Sequence, residues 1–159
     1  MTNRELVQRI WQAGVDAVQP KVLIHRFFQE NPATFARIQQ ARRVLVTGCG
    51  KASAEMAIAL EEVLGTSLSK CEGVVNVPNE QAKPLQKIRL HGARPSASNF
   101  PTPAGVTGAQ EMLALLEKAH PDDVAVCLLS GGGSALLPCP ILGITLEEKL
   151  ALTKLLHQS

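Results

Sequence analysis

The chain has 159 residues, enough for about one domain and for a substantial buried core. It is 45% hydrophobic and 19% charged, which excludes a disordered or fibrous polymer, and its net charge of +2 gives no electrostatic reason for a nucleic-acid or anionic-membrane partner. Aromatic residues make up only 3%, so the core must be built from Leu, Val, Ile and Ala, and no platform of exposed rings for RNA bases is expected.

In chain order, Thr2 and Glu5 form a capping box, and Leu6, Ile10, Ala13 and Ala17 recur at helical spacing behind it. Residues 3–18 therefore read as an amphipathic helix, with Trp11 as a packing residue. Pro20 opens a second helix with Val22, Leu23, Phe27 and Phe28 on its apolar side. Asn31 and Pro32 end it, and a short helix follows to about residue 40. The first strand is the β-branched run at 43–48, preceded by Arg42 and Arg43 as a solvated edge. Ala52, Met56, Ala59 and Val63 then mark a helix closed by Gly65. A second strand covers 73–78, and a weak alternation at 87–91 suggests a third. Residues 93–103, rich in Pro, Ser and Asn, read as an irregular loop. A helix carrying Val106, Ala109, Leu113 and Leu116 precedes the strand at 123–130, which is apolar at nearly every position, as a central parallel strand would be. Residues 145–158 form a last helix with Thr145 as N-cap. Strands alternating with helices define a Rossmann-like, three-layer α/β/α class with a mainly parallel sheet: a helical lead-in over 1–40 and an α/β portion over 43–159.

No run of 18 apolar residues exists, and the first ten lack the apolar segment of a signal peptide. Cys49, Cys71, Cys127 and Cys139 show neither C-x-x-C spacing nor paired His, so they read as mostly buried, reduced thiols of a cytoplasmic protein, with no metal site.

Two strand-to-helix junctions carry the chemistry. At the first, Gly48, Gly50 and Lys51 combine a tight turn, a helix N-terminus and a point charge suited to a phosphate or carboxylate. Leu45 breaks the Walker A spacing and Ser53 breaks G-x-G-x-x-G, so a plain turn with a solvated Lys is the alternative. At the second, Ser130, Gly131, Gly132, Gly133 and Ser134 follow the most apolar strand. Three consecutive glycines cost folding entropy, and their successive N–H groups suit an anion, a flexible turn being the alternative. Leu136 stands where a serine-hydrolase elbow around Ser134 needs Gly. Ligands of open α/β sheets bind beyond the carboxyl ends of the strands, so the two turns read as one anion site if their strands are neighbours. His25, His120 and His157 read as surface or capping residues. His91, Asn76 and Arg94 are lesser candidates to line the cleft.

The turn Gly-Cys-Gly-Lys-Ala-Ser at 48–53, the run from Val126 to Pro140 and the segment 143–156 together resemble the N-terminal domain of glycerate 2-kinases, whose other half is the MOFRL domain. The resemblance implies transfer of phosphate from ATP, with Mg2+, to glycerate, giving 2-phosphoglycerate, or work on the related hydroxypyruvate and tartrate routes. It places the family's essential lysine at Lys51 and its glycine-rich loop at 130–134. The His-Pro-x-Pro-Asp segment of bacterial members has no close counterpart; the stretch from His91 to Pro103 resembles the variant loop of animal members. The family's later segments, with a catalytic Arg and Asp, lie beyond position 159. The expectation is therefore a partial domain, its sheet incomplete at the C-terminus, weakly active alone and prone to self-association through its sheet edge. A non-catalytic nucleotide- or sugar-phosphate-binding module and an inactive fragment are the alternatives.

Overall fold

The computed structural model describes residues 1–158, with side chains through Leu156; the reading of His157 lies outside these side chains. The helical lead-in is α1 (Asn3–Ala17), α2 (Pro20–Glu30) and α3 (Pro32–Gln40). The capping box of α1 forms as read, with the Thr2 hydroxyl accepting from the Glu5 N–H and the Glu5 carboxylate accepting from the Thr2 N–H. The helix buries none of its residues, however, and Trp11 is 66% exposed. Periodicity locates an apolar stripe but not what covers it. Asn31 and Pro32 end α2 as read, and Pro32 opens the short α3, where its missing N–H is harmless.

The α/β portion runs β1 (Val44–Cys49), α4 (Ser53–Leu64), β2 (Cys71–Pro78), β3 (Ile88–Arg94), α5 (Pro103–Leu116), β4 (Val124–Leu129), α6 (Gly133–Leu136) and α7 (Leu146–Gln158). Four strands form one sheet in the order β3-β2-β1-β4, and every described pairing is parallel. With α4 on one face and α5 on the other, this is the three-layer α/β arrangement expected from the sequence. Val44, Val46, Val75, Val77, Ile88 and Leu90 meet Ala57, Leu60 and Leu64 of α4 in the main core, with Phe28 of α2 packed beside them. The entrance to β3 is fixed from α4. The buried Glu61 carboxylate accepts the N–H groups of Gln86, Lys87 and Ile88 at 3.0, 2.7 and 2.8 Å.

β1 occupies the centre and is buried along its whole length. The uniformly apolar β4 does not; it is an edge strand in this sheet. Val124, Val126 and Leu128 pack into the core, whereas Ala125, Cys127 and Leu129 are exposed, Leu129 by 61%. A helix covers one of its faces only, and an apolar strand looks the same in sequence whether its second face is covered or open. Arg42 and Arg43 are also more than a solvated edge. The Arg42 Nε and Nη2 hold the two oxygens of Asp123 at 3.0 and 2.9 Å, and Arg43 adds a contact at 2.9 Å. The Asp123 side chain is 1% exposed, so this network ties the start of β1 to the start of β4.

The chain leaves β1 through α4 towards β2, and after α5 it returns to the opposite side of β1 as β4. The strand order thus reverses between β1 and β4, and the crevice beyond their carboxyl ends is where open α/β sheets bind ligands.

Candidate functional site

β1 and β4 pair in register up to Cys49 opposite Leu129, so the turns that follow them lie side by side. They are laced together. The Ser130 N–H donates to the Cys49 carbonyl at 3.1 Å, and the Lys51 N–H donates to the Gly131 carbonyl at 2.9 Å. The Ser130 hydroxyl accepts the Ala52 N–H at 3.0 Å and lies 3.1 Å from the Ser53 hydroxyl, which donates to the Leu128 carbonyl. Ala52, the N-cap of α4, has no side chain to cap with, so Ser130 supplies the cap from the neighbouring strand. Ser130 therefore joins the two turns, and its hydroxyl is already engaged.

The glycines have distinct places. Gly48 lies buried within β1, where an added Cβ would stand 2.2 Å from the Leu128 carbonyl oxygen; it serves the close approach of the two strands. Gly50 has φ +142°, and a Cβ there would stand 2.0 Å from the Ser130 hydroxyl, so the lacing needs a bare backbone. Gly132 is left-handed at φ +86°. The N–H groups of Gly131, Gly132, Gly133 and Ser134 find no acceptor among the described residues. Successive free N–H groups in such a turn form a nest for an anion. Beneath it, Leu136 packs on Cys49 and Ala93 as a small second core, and the buried Asn76 amide donates to the carbonyls of Leu136 and Gly105 at 2.7 and 3.0 Å. Asn76 thus braces the glycine turn from below.

Lys51 is exposed and lies across Gly132: its Cε and Cγ are 3.3 and 3.4 Å from the point a Gly132 Cβ would occupy. Lys51 and the 131–134 turn, separated by some eighty residues of sequence, are thereby in contact. Burial, reinforced by the neighbouring Cys127, pushes the Cys49 thiol above its ordinary value, so it stays protonated beneath the turn.

Sequence reasoning undervalued Arg94. The third strand runs through Ile88–Arg94, beyond the expected 87–91, so Arg94 ends a strand and does not sit in a loop. It is 1% exposed, and its Nη2 is 3.5 Å from the same Gly132 point that Lys51 approaches. The signal was an Arg directly after Gly92 and Ala93, small residues able to extend the strand. His91 is engaged elsewhere, with its Nε2 2.8 Å from the Ala104 carbonyl. Among the remaining residues, His25 pairs with Glu62 and His120 with Asp122, both at the surface. Cys49 and Cys71 are buried as expected, but Cys127 and Cys139 are exposed. Among the described residues no group of three or more His, Cys, Asp or Glu is placed to hold a metal, and no helix is long and apolar enough to cross a membrane.

This geometry defines an α/β protein with a glycine-rich ledge of free backbone amides at a strand switch point. Residues 6–159 match the family described as a domain of unknown function, DUF4147. The chain is 36% identical to glycerate kinase of Rattus norvegicus over 98% of its length, and 36% identical to glycerate 2-kinase of Pyrococcus horikoshii over 74%. Its fold superposes on the crystal structure of glycerate kinase from Thermotoga maritima with a TM-score of 0.75 and 27% identity, covering 97% of this chain and 34% of that one. The chain belongs to the DUF4147 family, the N-terminal domain of glycerate kinases, as its motifs led us to expect. It spans about a third of the curated relatives' length: 33% of the rat protein and 25% of the Pyrococcus protein.

Proposed function

We propose that this chain forms the phosphate-binding part of an ATP-dependent glycerate kinase that produces 2-phosphoglycerate. The observation that carries the proposal is the convergence of Lys51 with the free amides of residues 131–134 at the strand switch point. Phosphoryl transfer asks the protein mainly to position groups and to offset spread negative charge. ATP supplies the phosphoryl group. The nest offers backbone N–H donors to a phosphate, and Lys51, on a flexible stem, offers a mobile positive charge. In the overall reaction, the hydroxyl oxygen at C2 of glycerate bonds to the γ-phosphorus, the bond to the β,γ-bridging oxygen breaks, and the hydroxyl proton is released. Mg2+ is expected with the nucleotide, but the described residues include no carboxylate cluster to cage it. Free thiols and the proposed nucleotide substrate support a cytoplasmic location for this chemistry.

The chain spans a third of its relatives, so its turnover alone is expected to be low. An ATP–glycerate coupled assay on residues 1–159 tests this: turnover at an ordinary enzymatic rate of about 10 per second would refute it. Any residual rate should vanish in Lys51→Ala; an unchanged rate removes Lys51 from the chemistry. The second reading, a non-catalytic phosphate-binding module, is favoured by the same short span. It predicts binding of phosphate or sugar phosphate, but no Mg2+-dependent binding of ATP. Self-association through the sheet edge is a further expectation, and sedimentation as a monomer alone removes that expectation.

A further inference from the structure

We infer that Arg94 is the second cation of this site and that its Nε–Nη2 edge binds the carboxylate of the acid substrate. The inference rests on the kinase reading above and assigns its acid-binding residue. The Arg94 guanidinium is anchored on one side only. Its Nη1 donates to the carbonyls of Pro95, Ser96 and Ser98, wrapping the chain around that nitrogen. Nε and Nη2 are buried and have no partner among the described residues. Unpaired charged donors in the interior are costly and rare, and each calls for an explanation.

Nε and Nη2 lie on one edge of the planar group, the edge that matches two oxygens of one anion. The same chain shows how that edge works: Arg42 uses Nε and Nη2 to hold both oxygens of Asp123 at 3.0 and 2.9 Å. Among the described residues no carboxylate plays that part for Arg94. Glu80 is within electrostatic reach, but its oxygens accept from the N–H and hydroxyl of Ser96. Meanwhile the Lys51 stem, through Cε and Cγ, and the Arg94 Nη2 come within 3.5 Å of a single point above Gly132. Gly131 beside them faces open space, because an added Cβ there meets nothing within 4 Å. Lys51 is exposed, so swinging its stem aside admits a small ligand to the Arg94 edge.

The two cations differ in kind. A lysine ammonium on a flexible stem beside a nest of amides suits a phosphate; a rigid guanidinium fork suits a planar carboxylate. A 2-hydroxy acid held by its carboxylate on Arg94 would present its hydroxyl towards Lys51 and the nest.

Nitrogen-15 spectra of arginine side chains test the assignment on the full chain, with the Arg94 Nε–H signal assigned through bonds from the backbone. D-glycerate is expected to shift that signal, whereas glycerol, which lacks the carboxylate, is not. Arg94→Lys should weaken D-glycerate binding at least about tenfold, the effect of losing a bidentate charged contact. It should leave the ATP-induced shifts of the Gly131, Gly132 and Gly133 amides in place. Should Arg94→Lys fail to fold, the glycerate and glycerol spectra of the unaltered protein decide alone. If ATP moves the glycine amides and D-glycerate leaves the Arg94 signal still, the inference fails while the kinase reading stands. If inorganic phosphate or ATP moves the Arg94 signal and glycerate does not, the carboxylate assignment is overturned. If no ligand moves either set of signals, the kinase reading of this chain fails, and the inference with it.

Discussion

Glu61 provides the sharpest test of how the sheet beneath the site is held. Its carboxylate, 7% exposed, accepts three consecutive N–H groups at the mouth of β3, whose last residue is Arg94. Hydrogen bonds to a charged group contribute about 1.5–3 kcal/mol each, and a buried donor left unpaired costs about 1–3 kcal/mol. Gln86 and Lys87 are exposed, so water replaces part of what their N–H groups lose, but Ile88 is 1% exposed and its N–H would be stranded. Glu61→Ala should therefore destabilise the protein by about 3–5 kcal/mol, a large part of the 5–15 kcal/mol typical of a domain, and lower Tm by roughly 10 °C. Urea unfolding of the variant measures the loss. Amide hydrogen exchange locates it, since the Ile88 N–H should lose protection before the centre of β1 does. Glu61→Gln, which keeps one acceptor oxygen, should fall between the two proteins. A change below about 1 kcal/mol in Glu61→Ala, or uniform loss of protection across the sheet, would refute the reasoning.

Further outcomes follow from the same geometry. Gly50→Ala places a methyl 2.0 Å from the Ser130 hydroxyl and 2.8 Å from its backbone, and it should cost about 2 kcal/mol or more in urea unfolding; adding Ser130→Gly should restore only part of this, because the backbone contact remains. At Asp123, burial raises the carboxyl's pKa, but hydrogen bonds from the His120 N–H, Arg43 and Arg42 outweigh it and hold the group well below the usual carboxylate range. Its stabilisation is present above the unfolded-state value of about 4 and is lost as pH falls below that, so unfolding midpoints should drop in acid, and Asp123→Asn should flatten that dependence. A water-soluble thiol reagent should label Cys127 and Cys139 quickly in the native protein and reach Cys49 and Cys71 only after unfolding; Cys71 is doubly protected, since burial, with Glu61 and Glu72, pushes its thiol up to about 11.

Much of the fold was legible because it depends on local chemistry. The capping box at Thr2, the N-cap at Thr145, the β-branched run of β1 and the glycines after β1 and β4 each declare themselves within a few residues. Residues separated by long stretches of sequence were harder to read. The uniform apolarity of β4 pointed to a central strand, because composition records what a surface is made of and not whether another element lies on it. Trp11 misled for the same reason.

The sequence by itself determined the class of the fold, the two glycine-bearing turns and Lys51, since turn geometry and hydrophobic period are properties of short segments. Only the tertiary structure decided that Ser130 caps a helix of another strand's making, that Lys51 lies over Gly132, and that Arg94 reaches the same point with two donors unspent. The physical reason is the parallel pairing of β1 with β4. It brings the ends of strands some eighty residues apart into register, and β3, two strands from β1, delivers Arg94 to the same point.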